Sequence, residues 1–506
     1  MANELIGYAY LANLPAVQAQ EVEVECRVTS VKKKEIIGGV IAIPRALMPS
    51  PVDSVLGHIL FALKHEGVNL QILAQALPLI PAEEMLSAFS ASPNGKYIRV
   101  ACYLWEHFTH TVLARDAEDI PGKYQPLFDP ERYITCEGER NRRWKVLFNG
   151  LGSIDYCVTV RKTELIQAGI SKQVLDGVRD FTEQLDPQML HRALAWAYLS
   201  ETKSSFEIEK EVPDDSKAHR FVNLLKKAHE KRLIDEDFLV DLQNQIISNK
   251  FDWASSFRLE QNYMSNGYGA AGVTYIPPPP DLCRTLMEQW MGFANQLPAG
   301  SVDPIITSAV ISFGFVFIHP FMDGNGRISR FMYHHALCQQ GRLDNGLILP
   351  VSAVLRDREL DYLNALTSFS EKTRRFWNVE WISADEVYCT FTGHDAIYRY
   401  WDGTACAELM FSASEEAVEQ YMKKEVSYLQ RYDQLKRRID REFDVADKVL
   451  SALVMLCLDQ KGRVSQKRRD QYQYQVPEDL FDAIEEAYRE LFREKDSGEA
   501  TADQPE

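Results

Sequence analysis

The chain has 506 residues, 45% of them hydrophobic and 25% charged, with a formal net charge of −17 and a pI near 5.2. That length supports two or three domains with buried cores. The acidic balance argues against nucleic acid as the main partner, because phosphate backbones reward basic faces, and no apolar run is long enough to span a bilayer. The nine cysteines are dispersed without a Cys-x-x-Cys pair, a pattern of reducing compartments rather than disulfide frameworks or zinc ribbons. The first basic residue is Arg27, so the charged start of a secretory signal is missing. A cytoplasmic location is expected.

Residues 1–165 predict a mixed α/β domain, either a target-recognition module or a scaffold for the rest. Val22, Val24, Cys26 and Val28 alternate with polar residues, the pattern of a half-buried strand, and 36–43 continues with strand-like character. Helical periodicity takes over at 55–77 and returns at 97–113. Residues 146–148 and 154–160 flank an Asn149-Gly150 pair, which predicts a hairpin. His107 and His110 lack partners at metal-ligand spacing and read as packing or surface residues, as do His334 and His335.

From 166 to 385 the pattern is mainly helical. Glu201, Glu207, Glu209 and Glu211 form a charge-rich patch around Ser204 and Ser205. Gly272, Val273, Thr274 and Tyr275 begin a short strand that meets a stiff proline run at 277–280. Residues 305–318 are almost wholly apolar and read as a buried core helix. Pro320 cannot continue a helix, so His319 should stand at the end of a rigid buried element. Gly324 and Gly326 can take positive φ at no steric cost. A helix is expected to start near Gly326, because Ile328, Phe331, Met332 and Cys338 recur at helical spacing.

A glycine turn feeding a helix N-terminus is a ready anion site. Arg327 and Arg330 are three residues apart, so they can share one face of the first turn and grip phosphate in a bidentate way. Asp323 could hold Mg²⁺ between phosphates, and His319 is suited to base work near neutral pH. Together these parts fit chemistry on a nucleotide polyphosphate, where positioning and charge neutralisation matter more than covalent work.

Beyond, 357–366 reads as an amphipathic helix carrying Tyr362. From 386 to 494 charged amphipathic helices are expected, at 415–443 and 445–458 among others, with a basic cluster at 461–469 that reads as a solvated loop. Residues 495–506 are polar, have no apolar anchor and are expected to be disordered.

The run His319-Pro320-Phe321-Met322-Asp323-Gly324-Asn325-Gly326-Arg327-Ile328-Ser329-Arg330 resembles the signature of the Fic family, His-Pro-Phe-x-Asp-Gly-Asn-Gly-Arg-x-x-Arg, at every specified position. The resemblance covers about 170–385 and implies a Fic-fold helical core with a small β-hairpin flap. It implies a protein adenylyltransferase that moves AMP from ATP to a Ser, Thr or Tyr hydroxyl of a target protein. His319 would be the general base and Asp323 the Mg²⁺ ligand. Gly324, Asn325 and Gly326 would form the anion hole, with Arg327 and Arg330 on the phosphates and Tyr362 lent to the nucleotide pocket. Gly272–Tyr275 resembles the flap, which pairs with a target segment by strand addition.

Ser205 and Glu209 match the spacing of the family's upstream inhibitory motif, whose glutamate pairs with the second arginine and obstructs the γ-phosphate. Lys210 departs from the Gly or Asn expected next. Self-modification, a homodimer and a winged-helix-like C-terminal domain are further properties the resemblance implies, and DNA contact by that last domain stays open. Two alternatives stay open: removal of AMP at the same site, with Glu209 positioning water, and a nucleotide-sensing regulator without catalysis. The intact Gly324-Asn325-Gly326 core favours AMP transfer over γ-phosphate transfer.

Overall fold

The computed structural model describes residues 4–492 apart from 116–119, 248, 342, 344–345 and 384–385; the tail expected to be disordered, 495–506, lies outside the described residues. The fold is mainly α, with small sheets in and beside the N-terminal region. Two compact units divide the chain, Met1–Asp180 with Tyr198–Glu415 and Phe181–Ala197 with Glu416–Glu506. Among the described residues no single helix is long and apolar enough to cross a membrane.

In the first unit, strands Glu4–Ile6, Cys26–Thr29, Val40–Pro44 and Glu35–Ile37 lie side by side in that order. The strand expected from Val22 begins only at Cys26. Upstream, the backbone N–H groups of Gln18 and Gln20 are taken by the side chains of Gln75 and Gln71, not by a neighbouring strand. The long helical stretch expected at 55–77 is two helices, Val55–His65 and Leu70–Ala76, because Asn69 caps the second by accepting from Ile72 N–H. The hairpin expected around Asn149-Gly150 does not form there. The Asn149 amide is buried and pairs with both backbone groups of Phe128. Val146–Phe148 joins one sheet, and Cys157–Thr159 pairs with Leu151–Gly152 in another.

Three helices position the site: Pro280–Gln296, Pro304–Ile318 and Asn325–Gln339. Pro304–Ile318 starts where the Asp303 carboxylate accepts from the N–H groups of Ile305 and Ile306, with proline at its first position. It is buried on nearly every side, as a helix apolar all round must be. The Trp290 indole donates to the Ile311 carbonyl at 3.1 Å, and the Phe315 ring packs on Trp290 at 5.2 Å between centroids. Phe315→Ala should cost about 3–5 kcal/mol of stability. Paired Ser312 and Ser329 hydroxyls join this helix to Asn325–Gln339.

The helical reading fails at 377–391. Strands Trp377–Ser383 and Glu386–Phe391 pair antiparallel. Their residues alternate between a face with Trp377, Val379, Trp381, Cys389 and Phe391, packed on the flap residues Val273 and Ile276, and an exposed face. This is the period-two signature of a half-buried hairpin, present in the sequence but masked by its charged residues. In the second unit, Leu435, Ile439, Leu450, Leu453, Leu480 and Ile484 are core residues of the helices Lys423–Glu442, Asp447–Asp459 and Glu478–Phe492.

Candidate active site

The 304–318 helix ends as its sequence demands. His319 takes the left-handed conformation (φ 54°), its N–H bonded to the Phe315 carbonyl at 2.9 Å, and Pro320 turns the chain away. The imidazole is buried, and its Nδ1 lies 3.1 Å from the Val316 carbonyl. A carbonyl can only accept, so Nδ1 carries the proton and Nε2 is the basic nitrogen. Burial lowers the imidazole pKa to about 4; the Val316 contact opposes that shift, the Arg258 charge adds to it and Glu209 opposes it. His319 is therefore a neutral base at physiological pH.

Five residues on, Gly324 adopts φ 90° at the N-cap of Asn325–Gln339, a conformation that glycine takes freely. The Asn325 amide does not face the turn's mouth. It braces the loop, accepting from Phe321 N–H at 3.0 Å and donating to the Phe321 carbonyl at 2.7 Å. Asp323 Oδ1 accepts from Gly324 N–H at 2.6 Å and from Arg327 Nη2 at 3.1 Å. Among the described residues no cluster of three or more His, Cys, Asp or Glu could hold a metal ion. Mg²⁺ on the half-exposed Asp323 would need phosphate oxygens and water to complete its shell.

The two arginines point to different partners. Arg327 is buried, its guanidinium 3.1 Å from both Asp323 and Glu211 and stacked over the Phe206 ring. Arg330 donates from Nε to Ser205 Oγ at 2.8 Å, and from Nη2 to the Ser205 carbonyl at 2.8 Å and Glu209 Oε1 at 2.7 Å. Burial works against charge on Glu209, yet Arg330 and Arg327 hold its carboxyl below the ordinary carboxylate value. A Cβ at Gly326 would lie 2.2 Å from Glu209 Oε1. An anion thus already rests against the helix N-terminus, where such an end favours one, and only glycine leaves it room. That fit is what a phosphate would require.

Ser205 and Glu209 sit at the end of the helix Pro187–Ile208. Lys210, just beyond, is left-handed at φ 59°. This is the physical meaning of the Gly or Asn expected there, since helices commonly end on a left-handed residue that those two adopt most easily. Tyr362, in the helix Glu359–Arg374, is buried beside Arg330; burial raises its phenol pKa and the guanidinium opposes the shift. The structure therefore brings His319, Asp323, the glycine turn, both arginines, Ser205, Glu209 and Tyr362 into one constellation.

The flap is a hairpin. Met264–Ser265 pairs antiparallel with Val273–Tyr275. Gly272 closes it where a side chain would strike Gly267. Thr274 is exposed, while Val273 and Tyr275 are buried. The Tyr275 hydroxyl bonds to the Phe317 carbonyl, two residues before His319. Sequence reading gave no role to Arg258, whose buried guanidinium donates to the carbonyls of His319, Glu260 and Pro278; a lone arginine in a loop carries no signal of that kind. Glu211 was legible only as part of an acidic patch.

Residues 233–337 match the Fic/DOC family model. This span holds His319–Arg330, the flap and Arg258, but not Ser205, Glu209 or Tyr362. The protein adenylyltransferase Fic of Drosophila mojavensis is 36% identical over 67 residues, 13% of this chain and 13% of that protein. A probable protein adenylyltransferase of Aquifex aeolicus is 24% identical over 199 residues, 34% of this chain and 59% of the relative. A solved Fic family protein from Desulfovibrio desulfuricans G20 has 19% identity and a TM-score of 0.37, covering 65% of this chain and 87% of that one. The chain spans only 13–14% of the length of the first adenylyltransferases it matches. By that match residues 233–337 are a Fic domain.

Proposed function

We propose that this chain is a protein adenylyltransferase that moves AMP from ATP to a hydroxyl side chain of a target protein and is restrained by its own Glu209. The observation that carries the reading is one arrangement. A neutral imidazole, with its tautomer set by Val316, feels the charge of a carboxylate that already occupies a helix N-terminus. The names of the relatives, protein adenylyltransferases, support the same reading.

In the proposed step the target hydroxyl oxygen attacks the α-phosphorus of ATP, pyrophosphate leaves, and His319 Nε2 takes the hydroxyl proton. A placed base of this kind contributes roughly 10²–10⁴-fold. Gly324 and Gly326 admit the phosphates to the helix N-terminus, Arg327 and Arg330 neutralise them, and Tyr362 borders the nucleotide. Mg²⁺, bound through Asp323, would screen charge between the α- and β-phosphates. The flap, Gly272 to Tyr275, would align the target segment as an added strand with the exposed Thr274 toward it.

Glu209 holds the arginine that the γ-phosphate needs. Transfer therefore requires Glu209 to leave Arg330, and Glu209→Gly should release it. Protein labelling from α-labelled ATP that rises with Glu209→Gly and vanishes on adding His319→Ala supports the proposal. Labelling from the γ-phosphate alone, or from neither position, contradicts it; in the second case the assay to run is release of AMP from a modified protein.

A further inference from the structure

We propose that Arg258 is the positioning residue for the base: it fixes the backbone of His319 and ties the flap to it, so that target docking and proton abstraction share one clamp. This rests on the adenylyltransferase reading for the role of His319.

Arg258 sits in the loop before the flap and is 5% exposed. Its Nε donates to the His319 carbonyl at 2.9 Å, and its own backbone N–H donates to the Pro320 carbonyl at 2.8 Å. The base and the proline after it are thus held by one residue. Its other guanidinium nitrogens reach the Glu260 carbonyl at 3.1 Å and the carbonyl of Pro278, in the proline run that ends the flap. Among the described residues no carboxylate hydrogen-bonds to it; the planar fork faces three backbone carbonyls and the Cys283 thiol. A rigid fork with several fixed donors suits that task, and lysine cannot reproduce it.

The conformation it holds needs holding. His319 is a non-glycine residue at φ 54°, and such positions persist only where the surroundings over-determine them. The flap is anchored to the same helix end a second time, through Tyr275 and the Phe317 carbonyl. The C-terminal end of strand Val273–Tyr275 and its proline stop are therefore coupled to the last turn of the base helix. The groups facing the imidazole are Val316 on its own helix, Arg258 on the loop, Tyr275 on the flap and Glu209 just past the end of the helix Pro187–Ile208. Arg258 is a cation beside the ring and disfavours its protonation.

The test uses the full chain in a Glu209→Gly background and compares Arg258→Met with Arg258→Lys. AMP transfer is measured for kcat and for KM of ATP. His319 is titrated by NMR, its signal assigned with His319→Gln. Arg258→Met should lower kcat on the order of 10²-fold, the cost of a misplaced reacting group, with KM for ATP unchanged. It should also raise the imidazole pKa only part of the way from about 4, because burial, the larger cause of the lowering, remains. A more basic imidazole would not by itself slow the reaction, so a joint fall in rate and rise in pKa separates lost position from lost basicity.

Arg258→Lys should lower kcat in the same way while the imidazole stays low, because the charge remains and the fork is gone. Should Arg258→Met fail to fold, the lysine variant decides: parental kcat overturns the proposal. A rate loss in Arg258→Met that Arg258→Lys does not share also overturns it, reducing Arg258 to a charge beside the ring. If Glu209→Gly alone transfers no AMP, the adenylyltransferase reading fails, while the titration still reports whether Arg258 sets the state of His319.

Discussion

The two ends of the candidate site are built on opposite terms. At the base end, the His319 imidazole meets the Val316 carbonyl and one cation, hydrogen-bonds to no carboxylate among the described residues and is neutral. At the phosphate end, two buried arginines are engaged by three carboxylates, Asp323, Glu211 and Glu209. A buried guanidinium left without a partner is strongly destabilising, so the chain supplies its own anions where phosphates would go. The base end is complete before substrate arrives, whereas the phosphate end must exchange partners. On the proposed reading, restraint belongs to the anion side, and loss of the reaction without loss of binding belongs to the base side.

The sharpest way to break this comparison is His319→Ala. Transfer should fall roughly 10²–10⁴-fold with ATP affinity retained, as read by calorimetry and label transfer in parallel; loss of ATP binding would merge the two ends into one. Next, Glu209→Gly should raise ATP affinity by about 5–150-fold, the usual span of a coupling between competing ligands. Lys210→Gly works in the other direction. Left-handed backbone costs a non-glycine residue roughly 1–2 kcal/mol, so relieving it should steady the Glu209 turn and lower basal transfer about five-fold or more. Smallest is Glu211→Gln. Glu211 is partly exposed and also pairs with Lys217, so ATP affinity should shift by less than about five-fold.

A pH series sharpens the contrast. His319 refuses a proton in the folded chain until about pH 4, whereas the unfolded chain accepts it near 6.5. Stability therefore falls as pH drops from 6.5 toward 4, and His319→Gln should flatten that part of a plot of Tm against pH. Glu209 has the opposite linkage. Its folded value lies below the ordinary 4.5, so its stabilising contribution is present above 4.5 and is lost as pH falls through the lower folded value. Glu209→Gln should leave Tm least changed at the most acid pH.

Most of the base end was legible because it is written in consecutive residues. An apolar run, a proline and two glycines dictate helix, stop, turn and helix through local sterics alone, and the observed helices end and begin at His319 and Asn325. The long-range parts were legible only through resemblance. Ser205 and Glu209 lie more than a hundred residues from Arg330 in sequence, and nothing local in an acidic patch says which carboxylate meets which arginine. Arg258 was invisible because its partners are backbone carbonyls, which leave no mark on the sequence. The hairpin at 377–391 was misread as helix because its alternation is carried by Trp and Val between charged residues. The misplaced turn at Asn149 shows a good local signal overridden by a buried amide with a better use at Phe128.

The central claim is that the phosphate end holds a self-supplied anion that ATP must displace. The direct measurement is ATP binding and α-phosphate label transfer for the parent chain, Glu209→Gly, and Glu209→Gly with His319→Ala, side by side. The account predicts weak binding and weak labelling in the parent and strong binding with strong labelling in the first variant. In the second variant it predicts strong binding with no labelling. Equal ATP affinity in all three, or labelling that survives the loss of His319, would contradict it.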